Sequence, residues 1–235
     1  MCYSNSSTSS NVTLGKIYQR EIMTLPHTEP TYYANGFSFP IWRIVTRDPS
    51  IKLMQWGLIP SWFNGLNPAE IASKTLNARI ETLSEKASFN RLLSSQRCIV
   101  PSSGFFEFQH HGAVKKPYFI YPKTSEIFSM AGLFDEWINR DTGEILGSFS
   151  IITTPANPLM EEIHNHKKRM PLILDPQEVQ SYLLSEKNIK EYKRHADDDM
   201  AAHVVDKQLI FSRTPNIPSV QHPIVDNIGQ QTLLF

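Results

Sequence analysis

Short runs rich in β-branched and aromatic residues recur along the chain, separated by Pro, Gly, Ser and Asn. They predict strands at Leu53 to Ile59, Arg97 to Pro101, Phe105 to Gln109, Tyr118 to Tyr121, Ile127 to Phe134 and Ser148 to Thr153. Three stretches switch to helical spacing. Thr82 and Glu85 read as a capping box ahead of Phe89, Leu92 and Leu93. Asn157 reads as a cap with Pro158 in the first turn and Leu159 and Ile163 on one face. Asp175, Pro176 and Glu178 repeat that logic before Val179, Tyr182 and Leu183. Strands in succession with helices at irregular intervals predict an α+β protein, mainly antiparallel sheet curled into a barrel-like core with short flanking helices. The polar stretch Asn5 to Asn11 and the tail Pro223 to Phe235 are expected to be loose.

Composition narrows this picture. The 235 residues are 40% hydrophobic and include 13 Phe, 8 Tyr and 4 Trp, enough for one large core. No repeat or long linker divides them, so a single domain over 1–235 is expected, its core ending near 222. Lys plus Arg equals Asp plus Glu at 23 each. Zero net charge excludes coating nucleic acid by bulk charge and leaves room for a local basic groove. Two cysteines, Cys2 and Cys98, exclude a disulfide framework or a Cys-rich zinc site. The opening MCYSNSSTSSN lacks the apolar core of a signal peptide. No apolar run reaches the ~20 residues that span a membrane. A monomer in a reducing cytoplasm, free of membranes, is the expectation.

Five places can carry chemistry. After loss of Met1, Cys2 would present an α-amine and a thiol on adjacent carbons. Such a 1,2-aminothiol suits aldehydes: the amine forms a Schiff base and the thiol closes a thiazolidine intramolecularly. Taken alone, Cys2 is a free cysteine in a tail. Asn77 and Arg79 sit in Thr75-Leu-Asn-Ala-Arg-Ile-Glu-Thr82, where one amide both donates and accepts and a guanidinium can grip phosphate. A polar loop reads the same way. Glu107 lies among Phe105, Phe106 and Phe108, where burial would raise its pKa into the range of a proton shuttle. An exposed edge strand fits that pattern equally. His164 and His166 precede Lys167, Lys168 and Arg169, the densest basic cluster in the chain. A solvated basic turn is the plain alternative. A metal site from His164, His166 and Glu161 or Glu162 lacks accompanying Cys or Asp ligands, so no metal or other cofactor is expected. Trp56 and Trp62, in Trp-Gly-Leu-Ile-Pro-Ser-Trp, are candidates to stack on unpaired bases or to fill the core.

Together these segments resemble the SRAP family, the SOS-response-associated peptidases that shield abasic sites. The motifs run in register: Cys2, Trp56 to Trp62, Asn77 to Thr82, Arg97 to Glu107, Ala131 to Phe134, Ile151 to Thr154 and His164 to Pro171. Each is weak alone; seven in order cover nearly the whole chain. The resemblance implies a groove for single-stranded DNA and a covalent thiazolidine at Cys2. It implies that Asn77 holds the ring and opened sugar, and that Glu107 is the acid/base on the amine. His164 would donate a proton to the sugar oxygen, with His166 the alternative. Arg79, Trp56, Trp62, Lys167, Lys168 and Arg169 would contact DNA.

Two departures stand out. Cys2-Tyr3-Ser4 replaces the family's Cys-Gly-Arg, so an arginine is missing and a ring able to stack is present. The family's His-x-Arg-Met-Pro is lengthened to His164-Asn-His-Lys-Lys-Arg-Met-Pro. His164 follows the apolar Ile163, as the family's histidine follows an apolar residue. Three functions fit: an abasic-site crosslinker that also removes its own leading residue, a cysteine peptidase acting on other chains, and a non-covalent single-strand binder. The expectation adopted is the first, with abasic single-stranded DNA as partner.

Overall fold

The structure, a computed structural model, describes residues 2–22, 25–26, 29–192 and 198–224. Among them two sheets carry the fold. The first has five antiparallel strands: β1 (Ser4–Ser7), β2 (Thr31–Asn35), β7 (Gly104–His111), β8 (Val114–Pro122) and β13 (Met200–Val204), in the order β13-β8-β7-β1-β2. The second follows the path β12-β9-β10-β4-β3, formed by β3 (Ile41–Ile44), β4 (Lys52–Trp56), β9 (Phe128–Ile138), β10 (Ile145–Pro155) and β12 (Ile173–Leu174). On it also pair β5 (Asn77–Arg79) and β11 (Arg169–Pro171), both with β10, and β6 (Arg97–Ser102) with β9. The α+β class holds. The two sheets do not close, so the barrel-like expectation gives way to two stacked open sheets.

Alternation along the strands builds three apolar layers. Cys98 and Val100 face one cluster while Ile99 faces another; Ile151 and Ile152 divide likewise. The middle layer lies between the sheets and joins Phe105 and Ile120 of the first to Trp42, Trp56 and Phe149 of the second. Outside the second sheet, Leu14 and Tyr18 of α1 (Asn11–Tyr18) and Tyr182 and Leu183 of α4 (Val179–Leu183) pack on Ile99, Leu133 and Ile152. Outside the first, Phe106 and Phe119 meet Val205, Ile210 and Val220. Phe105 points inward, so the pleat turns Glu107 inward as well.

Helix ends follow their caps in two of three cases. Asn157 accepts from the Met160 N–H at 2.9 Å and starts α3 (Pro158–Ile163). Asp175 and Glu178 form the expected reciprocal box ahead of α4. The helix expected after Thr82 is absent; 3₁₀ turns at Ile80–Thr82 and Asn90–Ser94 stand there instead. Ser84 and Ser88 lie between them, and serine is a residue type whose hydroxyl can compete for backbone bonds, which favours turns over a continuous helix.

The N-terminal stretch is the larger correction. Residues expected to be loose form β1, hydrogen-bonded to β2 on one side and β7 on the other, and then α1. All four residues of β1 are buried although all are polar. At the other end Pro223 bridges to Val205, and the Ile224 N–H bonds the Val204 carbonyl at 3.1 Å. The rest of that expected tail lies outside the described residues.

Trp56 belongs to this core. It is fully buried and stacks on Phe149 with planes 13° apart, and its indole N–H bonds the Leu76 carbonyl at 2.9 Å. It offers no face to a base, which corrects its reading as a DNA contact. Trp56→Ala is therefore expected to lower folding stability by about 3–5 kcal/mol, as large aromatic truncations in cores do. A denaturant titration measures this; an unchanged midpoint would contradict the packing described.

Candidate functional site

Residues from four separate segments meet in the middle layer. Cys2 enters it because Ser4–Ser7 is locked into the first sheet, which fixes the chain just before the strand. Asn77 arrives on β5, which runs parallel to β10 with Asn77 opposite Ile151. Glu107 comes from the inner face of β7, and His164 from the end of α3.

Cys2 is fully buried. Its Sγ faces the Ser4 carbonyl at 3.7 Å. Burial, and then the Glu107 carboxylate, push the thiol well above its ordinary pKa. The Asn77 amide donates to the Cys2 carbonyl at 2.8 Å. The other end of that amide, Oδ1, is buried with no hydrogen-bond partner among the described residues. A buried acceptor left unsatisfied costs about 1–3 kcal/mol. Here it marks a place for a donor next to Cys2.

Burial raises Glu107 to about 7 and, at His164, lowers the imidazole to about 4. Each shift favours the neutral form, as desolvation demands. His164 Nε2 stands 3.9 Å from Glu107 Oε2, while Nδ1 lies 2.8 Å from the Arg169 carbonyl. The Arg169 N–H also points at Nδ1, at 3.4 Å. One nitrogen cannot donate and accept at once, and the shorter contact makes Nδ1 the donor. In the neutral ring the proton is then on Nδ1, and Nε2 turns a lone pair toward Glu107. That arrangement sets a basic lone pair facing a carboxyl group at 3.9 Å.

The other predicted residues divide. Arg79 is exposed at the end of β5, close enough to influence the Tyr3 hydroxyl. Trp62 is 44% exposed, with its indole N–H toward the Ala87 carbonyl at 3.4 Å. Lys167 and Lys168 are exposed, Lys168 within 3.8 Å of Glu161. Arg169 is buried: its guanidinium bonds Glu81 at 3.0 Å and the Thr153 carbonyl at 2.6 Å. It braces β11 against β10 and is not open to phosphate, which corrects its reading as a DNA contact. His166 is exposed and stacks on His110 with rings 5.1 Å apart, away from the Glu107 contact that His164 makes. Among the described residues no group of three or more His, Cys, Asp or Glu is arranged to hold a metal, and no helix is long and apolar enough to cross a membrane.

Phe37 escaped the sequence reading. It stands in a turn next to Tyr3 with their ring centroids 5.0 Å apart. Nothing in Asn35-Gly-Phe-Ser-Phe39 distinguishes that ring from a core phenylalanine, and only the spatial neighbour reveals it.

Known proteins share this arrangement of chain. The family model described as SOS response associated peptidase (SRAP) matches residues 1–210. The abasic site processing protein YoqW of Bacillus subtilis (strain 168) is 38% identical over 173 residues, which is 71% of this chain and 74% of that protein. The abasic site processing protein HMCES of Xenopus tropicalis is 40% identical over 147 residues, covering 55% of this chain and 43% of that one. A crystal structure of a protein from Bacteroides thetaiotaomicron superimposes with a TM-score of 0.90 at 37% identity, over 95% of this chain and all of that one. The sequence match over most of the chain and the shared fold make it a member of the SRAP family.

Proposed function

We propose that this protein processes abasic sites in single-stranded DNA by bonding to them covalently through Cys2. Abasic-site processing is the activity named for relatives that align with about 70% of the chain. The observation that carries the chemical reading is the Asn77 amide: it grips the Cys2 carbonyl and leaves a buried acceptor beside it, within the same buried layer as Glu107.

Loss of Met1 turns the Cys2 nitrogen from an amide into an amine, and the same site is proposed to carry out that cleavage. The opened abasic sugar presents an aldehyde. Because burial keeps the thiol protonated, the amine attacks first. Attack gives a carbinolamine; Glu107 takes the surplus amine proton and returns one to the departing hydroxyl, so water leaves and an imine forms. The sulfur then adds to the imine carbon, and its proton passes to nitrogen. The sum is aldehyde plus aminothiol giving thiazolidine plus water. Asn77 Oδ1 accepts a hydrogen bond from the sugar or from the new ring nitrogen.

His164 fits the ring-opening step only with a proton on Nε2. Its neutral tautomer lacks one there, and protonated Glu107 stands at 3.9 Å as the donor. Glu107 and His164 therefore act as one unit that passes a single proton to the sugar oxygen and recovers it. Arg79, Lys167, Lys168 and Trp62 remain the exposed groups available to the strand.

Three outcomes test this reading. Cys2→Ala is expected to abolish the SDS-resistant band formed with an abasic oligonucleotide, and mass spectrometry of the wild-type adduct should show Cys2 as the first residue. A band of full strength from Cys2→Ala would end the proposal. Glu107→Gln should slow crosslinking by about 100-fold or more, the usual weight of a general acid–base group. Glu107 is a carboxylic acid below about pH 7 and a carboxylate above it. The wild-type rate of the amine step should accordingly rise as pH passes upward through that value, and Glu107→Gln should lose that limb. An unchanged profile in the variant would remove Glu107 from the proton transfer.

A further inference from the structure

The chemistry at Cys2 does not say how the strand is held against it. The structure gathers a second set of groups there. The Tyr3 carbonyl accepts from the Gly36 N–H at 2.7 Å, which ties the turn Gly36–Ser38 to the start of β1. Asn35 caps that turn, its Oδ1 accepting from the Phe37 N–H at 3.0 Å. The two rings are thereby held together with planes 39° apart. Phe37 is 51% exposed and Tyr3 half-buried. Phe37 thus presents ring surface to solvent one residue away, through Tyr3, from the reactive cysteine.

Charge favours the same use. Burial and the Glu107 carboxylate raise the Tyr3 hydroxyl above its ordinary pKa, with the Arg79 guanidinium opposing. The phenol stays neutral, so it does not repel a polyanion. Arg79 supplies the positive charge nearby. An abasic sugar deprives the next base of one stacking neighbour, leaving one face of that base bare. Aromatic side chains are suited to cover such a face, whatever the base.

We propose that Tyr3 and Phe37 form the seat for the nucleobase next to the abasic sugar, with Arg79 on the phosphate between them. This deepens the abasic-site reading and rests on it. With the ring planes 39° apart, a base lying flat on one ring meets the other at a tilt.

A coupling measurement decides it. The probe is a single-stranded oligonucleotide with a tetrahydrofuran abasic analogue, which has no aldehyde and so reports binding without capture. Affinity is read by fluorescence anisotropy at one salt concentration for wild type, Tyr3→Leu, Phe37→Leu and Tyr3→Phe. A second oligonucleotide carries tetrahydrofuran at both flanking positions as well. On the first, each Leu variant should bind roughly 5- to 150-fold more weakly, the loss of one stacked base. On the second, the variants should match wild type, and Tyr3→Phe should bind like wild type on both. No loss on the first, or an equal loss on both, overturns the seat. Thermal unfolding of the Leu variants separates that second pattern from misfolding: an equal loss with an unchanged midpoint still overturns it, and with a lowered midpoint Tyr3→Phe and the flanking-base comparison on wild type decide, a wild type indifferent to flanking bases counting against. A parallel reaction with an aldehyde-bearing abasic site tests the underlying reading. If wild type forms no Cys2-dependent adduct while ring–base coupling persists, the crosslinking fails and the seat stands. If the adduct forms and coupling is absent, only the seat is lost.

Discussion

Everything at the site depends on one four-residue strand being paired on both edges. β1 has β2 on one side and β7 on the other, so its backbone bonds are satisfied within a sheet. A chain terminus is ordinarily the place where order is lost. Here pairing holds it, and Cys2 is carried into the layer between the sheets. The same pairing brings Glu107 near it, because β7 is both the neighbour of β1 and the strand whose inner face bears the carboxylate. The second sheet supplies Asn77 through its parallel register with β10. Without β1, Cys2 would not be held beside these groups.

The strand also shows where sequence and structure part. Strands such as Arg97–Ser102 and Phe128–Ile138 announce themselves by branched and aromatic side chains that must be buried. β1 does not: it is Ser-Asn-Ser-Ser, and hydropathy assigns it to a loose tail. What stabilises it is polar satisfaction. Ser4 meets the Tyr33 hydroxyl at 3.0 Å, Asn5 accepts from Ser102 at 2.6 Å, Ser6 from Gln221 at 2.6 Å and Ser7 from Arg43 at 2.7 Å. Each partner is distant along the chain, so no local window could anticipate the bonds. The core residues and most strands were legible because periodicity reports burial; this strand was not, because periodicity does not report hydrogen bonds.

The site divides in the same way. Residue type and motif single out Cys2, Asn77, Glu107 and His164, and the fold brings them toward one buried layer. Face and reach were not available from the sequence. Trp56 and Arg169 have the right chemistry for nucleic acid, yet one fills the core and the other is occupied by Glu81 and Thr153. Which nitrogen of His164 carries the proton depends on the Arg169 carbonyl, a backbone atom at the first residue of β11, placed by its pairing with β10. The segment between His164 and Arg169 is docked against β7 by Asn165, which bonds both backbone groups of His110 at 2.9 Å.

The register of β1 begins at Ser4, two positions beyond the reactive cysteine. None of the β1 pairing therefore involves Cys2, and the proposed loss of the leading residue would break no strand pair. Under the crosslinking proposal, an affinity tag fused at the front would block the Cys2 amine until it was removed, whereas a tag at the rear would leave that amine to the proposed reaction.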